Sequence, residues 1–208
     1  QNLPWGISQV QKYLPLLPFA IEQIDFDGYP LVISSSHLVA KGILTSPDQL
    51  HISYVHTPVR YAWDQMNIYL QRSFLRKIGL GPLIRWQLHT LRQWDQLSSA
   101  RIDYLLANSN FTSKRIWKYW KRSSEVLYPP VNVNRFKWNK TRDDFYLSVC
   151  RLVPNKRVDL LVRAFNKLKL PLIVVGDGAE KAYLKALAGP TVQVLGFESS
   201  EKIEKLMS

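Results

Sequence analysis

Tyr146-Leu-Ser-Val-Cys-Arg151-Leu-Val-Pro-Asn-Lys156 runs from an apolar strand into a loop that carries two cations five positions apart. The chain continues through Asp159-Leu-Leu-Val-Arg-Ala-Phe165 to Pro171-Leu-Ile-Val-Val-Gly-Asp-Gly178. The order is strand, cationic loop, helix, strand, glycine turn. In a parallel α/β sheet such a unit holds a phosphorylated ligand at the carboxyl ends of its strands. Arg151 offers a planar fork to phosphate oxygens, and Lys156 a compact charge just before a helix start. Together they can neutralise a diphosphate leaving group without a metal ion.

Other strand-like runs precede and follow this unit: Pro30–Ser35, His51–His56, Tyr104–Ser109, Glu125–Tyr128 and Thr191–Gly196. Several are continuously apolar or β-branched, as strands covered on both faces are. Helices are expected at His37–Leu44, Ser113–Lys121, Asp159–Leu168, Glu180–Ala188 and Ser199–Met207. The span Asp64–Ser99 reads as mostly helical with a break at Gly79-Leu-Gly-Pro82. Alternating strands and helices predict an α/β fold with parallel sheets. A linker falls at Tyr128-Pro-Pro-Val-Asn-Val-Asn-Arg-Phe136, where two prolines and two asparagines stop regular structure. The expected domains are therefore residues 1–136 and 137–208. The chain starts at Gln1 and stops inside an expected helix, so it is expected to be a fragment lacking both ends.

The 208 residues are 46% hydrophobic and 21% charged, an ordinary globular composition. No apolar run approaches the roughly 18 residues of a membrane span. The single Cys150 excludes an internal disulfide framework and suits a reducing compartment; in its apolar strand it reads as a small buried hydrophobe. The four histidines, His37, His51, His56 and His89, have no metal-ligand spacing.

Charge is the second strong feature, with 28 basic against 16 acidic residues and a net of +12. The cations gather at Arg72/Arg76/Lys77 and at Lys114/Arg115/Lys118/Lys121/Arg122, the latter interleaved with Trp117, Tyr119 and Trp120. On a helix Ile116 and Trp120 share one side, while Lys114, Lys118 and Lys121 lie on another. That helix reads as a solvated amphipathic helix, as a face for anionic lipid, or as a nucleic-acid contact.

The motifs Ser34-Ser-Ser-His37, Tyr54-Val-His-Thr-Pro-Val-Arg-Tyr-Ala-Trp-Asp64, Asp103-Tyr-Leu-Leu-Ala-Asn-Ser109, Tyr128-Pro-Pro-Val131 and the Arg151/Lys156 segment, in this order, resemble a known family. It is the retaining glycosyltransferases of family 4, and the likeness is greatest to bacterial O-antigen and lipopolysaccharide mannosyltransferases. The resemblance implies a GT-B fold, two Rossmann-like domains facing across a cleft, the second truncated here. It implies transfer of a sugar, with mannose from GDP-mannose expected, to a lipid-linked or surface-polysaccharide acceptor with retention. The first domain would take the acceptor and the second the nucleotide. Arg151 and Lys156 match the family's diphosphate-holding pair, which works without a divalent metal, and no cofactor is expected.

His56 matches a cleft histidine beside the transferred sugar; by position it ends a strand, where it can bond a sugar hydroxyl or stabilise charge. It also reads as a histidine satisfied by backbone in a proline turn. Arg60 and Asp64 follow as acceptor-side candidates or as a structural pair, with Asn108 and Ser109 at another strand end. Trp63 reads as core. Gly176 and Gly178 would let backbone approach the nucleotide, or cap an ordinary turn. Gly196-Phe197 resembles the segment that runs beside the base. The family's spaced pair of donor-site glutamates does not occur, and Glu198, Glu201 and Glu204 lack that spacing. The fragment alone is therefore expected to be inactive. Peripheral attachment to the inner face of the cell membrane is expected, with a soluble cytoplasmic enzyme as the fallback. Two other classes stay open: a sugar-nucleotide epimerase of the same fold, and a non-catalytic basic module binding membrane or nucleic acid.

Overall fold

The computed structural model describes residues 13–67, 70, 79, 81–136 and 143–207. The cluster Arg72/Arg76/Lys77 and most of the polar stretch after Phe136 lie outside them. The chain divides into two compact units, Gln1–Pro130 and Val131–Ser208.

The first unit opens with helix α1 (Leu17–Glu22) and then builds a four-stranded parallel sheet. Its strands are β1 (Leu31–Ser36), β2 (Leu50–Val55), β3 (Tyr104–Ala107) and β4 (Glu125–Val126), in the spatial order β1-β2-β3-β4. Helix α2 (Gly81–Ser99) precedes β3, and α3 (Asn110–Trp120) joins β3 to β4. Pro82 sits in the first turn of α2, where its missing N–H costs nothing. Ser109 caps α3 by accepting from Thr112 N at 3.2 Å, and Lys121 ends it in the left-handed region.

Strand alternation turns Val32, Ser34, Ser36, His51, Ser53, Val55, Leu105 and Ala107 to one buried face. Its apolar part meets Ile102, Ile116 and Trp120. Its polar part is internally bonded, because Ser34 Oγ lies 2.9 Å from both His51 Nε2 and Ser53 Oγ. Burial pushes the His51 pKa down, so this ring packs as a neutral side chain.

The expected helix at His37–Leu44 does not form. In its place is a 3₁₀ turn, Ala40–Gly42. The reason is Lys41, only 1% exposed, whose ammonium faces the equally buried Asp95 of α2 at 3.3 Å. It donates to the Asp95 carbonyl at 2.8 Å and to Ser98 Oγ, and lies 4.8 Å from the ring centres of both Trp94 and Trp120. Asp95 Oδ2 in turn accepts Trp63 Nε1 and Trp120 Nε1, each at 2.8 Å. A Cβ on Gly42 would stand 2.2 Å from the Trp94 ring, so glycine is needed for the turn to approach α2. Burial pushes the Lys41 pKa from 10.5 down to about 8, with the Asp95 carboxylate opposing the drop.

The second unit is a three-stranded parallel sheet, β5 (Tyr146–Val149), β6 (Leu172–Val175) and β7 (Val192–Gly196), ordered β5-β6-β7. Helix α4 (Val158–Leu168) links β5 to β6, α5 (Lys181–Leu187) links β6 to β7, and α6 (Ser200–Met207) follows. Val158 and Val162 of α4 enter a core with Leu152, Leu172, Val174, Leu184, Val192 and Val194. The strand expectations hold in both units to within two residues at each end, the width of fraying and of assignment.

Asp95→Asn leaves an ammonium buried without its counter-charge and should cost about 3–5 kcal/mol, read as a lower urea midpoint by tryptophan fluorescence. Lys41 also gives a pH signature. Between about 8 and 10.5 the unfolded chain holds a Lys41 proton that the folded chain has lost. Stability measured against a Lys41→Met variant should therefore rise with pH across that window.

Candidate functional site

Each unit gathers candidate residues at the carboxyl edge of its sheet. In the second unit, backbone bonds knit the exit of β5 to the exits of its neighbours. Cys150 N donates to Val175 O at 3.0 Å, Leu152 N to Asp177 O at 2.9 Å, and Glu180 N to Leu152 O at 3.0 Å. Gly176 N reaches Gly196 O at 2.7 Å. Gly176 and Gly178 have φ of +148° and +155°. A Cβ on Gly176 would fall 1.8 Å from Cys150 O, and one on Gly178 2.3 Å from Leu152 O. Both glycines thus serve the close passage of one backbone past another. That requirement exists whether or not a nucleotide is bound.

The loop so held carries the two cations. Lys156 ends a 3₁₀ turn, Pro154–Lys156, immediately before α4. Arg151 and Lys156 are both exposed. Their cationic neighbours are occupied, Arg157 by Asp159 at 3.0 Å and Lys181 by Asp177 at 3.1 Å. Among the described residues no carboxylate pairs with Arg151 or Lys156. Two exposed cations before a helix N-terminus at a strand exit are an arrangement with charge to offer an anion. Phe197 follows β7 at the same edge, 80% exposed. Gly196 is left-handed at φ +103°, and the nearest atoms to an added Cβ there are the flexible end of Lys181.

In the first unit His56 leaves β2 beside Asn108, which leaves β3. His56 N donates to Ser36 O at 2.8 Å and Asn108 N to Val55 O at 3.3 Å. The His56 ring is exposed, shares a 2.9 Å hydrogen bond with Ser35 Oγ through Nε2, and meets Tyr54 edge-on at 5.3 Å. The N–H of His56 is thus satisfied within the sheet, while its ring is held by a side chain. Ser109 is the α3 cap, with its hydroxyl also 3.1 Å from Asn108 Oδ1.

Asp64 is paired, as one of the two sequence readings has it, but with Arg115 rather than Arg60. The Arg115 bonds hold its carboxyl below the usual carboxylate range. Trp63 is half-buried against the core, stacked on Tyr119 at 4.6 Å between ring centres. Two members of the basic cluster at 114–122, Arg115 and Arg122, are drawn into internal bonds. Arg115 is buried, and Arg122 donates to the carbonyls of Ser99 and Ile102, each at 2.6 Å. Ser35 and Arg115 are the residues that sequence reasoning missed. Their partners lie 21 and 51 positions away, and no local pattern encodes such a contact. Among the described residues no group of His, Cys, Asp and Glu could hold a metal ion, and no helix is long and apolar enough to cross a membrane.

Residues 131–208, the whole of the second unit, match the family model of glycosyl transferases group 1. No curated protein matches the chain. Among solved structures it is similar to TarM, at 11% identity and a TM-score of 0.57, covering 91% of this chain and 37% of that one. It is similar also to HepE of Anabaena, solved with UDP and glucose, at 14% identity and a TM-score of 0.56, covering 99% and 56%. These likenesses show the fold, an α/β architecture of parallel sheets shared with GT-B glycosyltransferases. The chain spans no more than 56% of the length of either structure, and its similarity to glycosyl transferases group 1 is confined to the second unit.

Gly178→Ala places a methyl group against the Leu152 carbonyl and should destabilise the second unit by more than about 2 kcal/mol. Gly28→Ala, with open space around it, should cost about 1 kcal/mol from its left-handed backbone alone. Paired urea titrations separate the two.

Proposed function

We propose that this chain belongs to a glycosyltransferase that moves a sugar from a nucleoside-diphosphate sugar to a polysaccharide or lipid-linked acceptor. The observation that carries the reading is the exposed, carboxylate-free pair Arg151 and Lys156 at the exit of β5, inside the segment that matches glycosyl transferases group 1. A diphosphate leaving group develops negative charge as the glycosidic bond to the donor breaks. Two fixed cations stabilise that charge more in the transition state than in the ground state, which is what lowers a barrier. In this proposal they take the place of a divalent metal. Phe197 offers a face on which a nucleobase can stack, and His56, its ring steadied by Ser35, offers a hydrogen bond to a sugar hydroxyl.

Mannose as the sugar, GDP-mannose as donor and retention of configuration rest on the sequence resemblance. HepE was solved with UDP and glucose, and a TarM variant of S. aureus (12% identity, TM-score 0.52, covering 89% of this chain and 36% of that one) with fondaparinux, α-GlcNAc-glycerol and UDP. A donor screen should therefore carry uridine and guanosine sugars side by side.

Contact with an anionic membrane is part of the proposal, and it rests on the exposed face of α3. Phe111 and Trp117 are 70% and 59% exposed there, beside exposed Lys114, Lys118 and Lys121. Aromatic rings with interspersed lysines suit the head-group region.

In the full-length protein that contains this chain, Lys156→Ala should slow sugar transfer by about 10²-fold or more with the fold intact. Unchanged turnover would remove Lys156 from the mechanism. Replacing Lys114, Lys118 and Lys121 by glutamate should abolish sedimentation with phosphatidylglycerol vesicles. Sedimentation that persists, or that the parent never shows, rejects the membrane contact.

A further inference from the structure

Arg115 lies mid-helix in α3, yet its side chain is buried and its hydrogen bonds turn to the segment that leaves β2. Nε donates to Thr57 Oγ1 at 3.2 Å, and Nη2 contacts Pro58 O at 3.5 Å. Nη1 and Nη2 fork onto the two oxygens of Asp64, the latter at 3.1 Å. The Tyr119 and Phe111 rings flank the guanidinium at 5.2 and 5.9 Å. One turn earlier on the same helix, Thr112 Oγ1 donates to the carbonyl of His56 at 3.1 Å. From α2, Arg92 Nη1 donates to Ala62 O at 2.8 Å, and Asp95 holds Trp63. Val59 and Ala62 complete the attachment in the core.

The segment from His56 to Asp64 is therefore fixed at both ends and in its middle. A helix that only had to pack here would be served by an apolar side chain, since burying a charge is costly unless every donor is used. At Arg115 each nitrogen is used, and every hydrogen bond lands within residues 57–64. Lysine could not reproduce that fork.

We propose that Arg115 is a positioning residue that holds the His56–Asp64 segment rigid, so that the His56 ring is pre-set for the transferred group and the segment does not act as a closing lid. The consequence for turnover rests on the glycosyl-transfer reading; the rigidity does not. A misplacement of about 1 Å at such a residue is enough to cost roughly 10²-fold in rate.

The test uses the full-length protein with Arg115→Gln, Arg115→Lys and, in case the first fails to fold, Asp64→Asn, which removes the fork but keeps the guanidinium. Arg122→Gln is the control, since its bonds go to Ser99, Ile102 and Asp103. Hydrogen exchange is read peptide by peptide, and kcat and KM are read with donor and acceptor varied separately. Arg115→Gln and Asp64→Asn should raise exchange within residues 56–64 about tenfold or more, with β1, β3 and the second unit unchanged. Arg115→Lys should fall between them and the parent, and Arg122→Gln should leave 56–64 as in the parent. Turnover of Arg115→Gln should fall at least about tenfold in kcat with donor KM unchanged. Exchange that rises evenly through the first unit, or not at all in 56–64, overturns the proposal. A parent that transfers no sugar from any nucleotide donor defeats the glycosyl-transfer reading instead, and the exchange data still decide the role of Arg115.

Discussion

A single buried ammonium, that of Lys41, sets the arrangement of the first unit. A charge so placed must meet an opposite charge and have its protons used, or the fold loses more than burial gains. Asp95 supplies the charge, and the Asp95 carbonyl and Ser98 accept the protons. The same carboxylate then takes the indole protons of Trp63 and Trp120. One side chain of α2 thus anchors the Ala40–Gly42 turn, the segment after β2 and the last residue of α3. The edge that presents His56 is built on elements that share this one polar centre.

The second unit meets a different constraint by a different means. Its strand exits pass within hydrogen-bonding distance of one another, and no Cβ fits at two of the crossing points. Backbone satisfies backbone there, and two acids of this edge, Asp159 and Asp177, pair with Arg157 and Lys181. Arg151 and Lys156 are what is left over. Among the described residues neither has a carboxylate partner, which is what the proposed anion site rests on, since a cation already paired with carboxylate has less to offer a phosphate.

Much of this was legible in the sequence. The seven strands of the described residues and the helices around the cationic loop follow from apolar runs, punctuation and local order, which are short-range signals. The reading fails where a contact spans many positions. His37–Leu44 has a helical pattern, but Lys41 must reach Asp95, 54 positions on, and a 3₁₀ turn with Gly42 against Trp94 delivers it. Arg115 and Arg122 look like surface cations because nothing near them in sequence calls them inward. Gly176 and Gly178 read as ligand-facing or as turn glycines, and no local pattern shows that they also make room for Cys150 and Leu152.

The central claim is that the β5 exit is a diphosphate site, and calorimetric titration of the protein with UDP, GDP and the parent nucleosides, in EDTA, tests it most directly. Charge-assisted bonds to two cations contribute about 1.5–3 kcal/mol each. The account predicts that one of the diphosphates binds at least about tenfold more tightly than its nucleoside, and that Arg151→Ala erases the difference. Equal affinity for diphosphate and nucleoside, or a preference that survives Arg151→Ala, would contradict it.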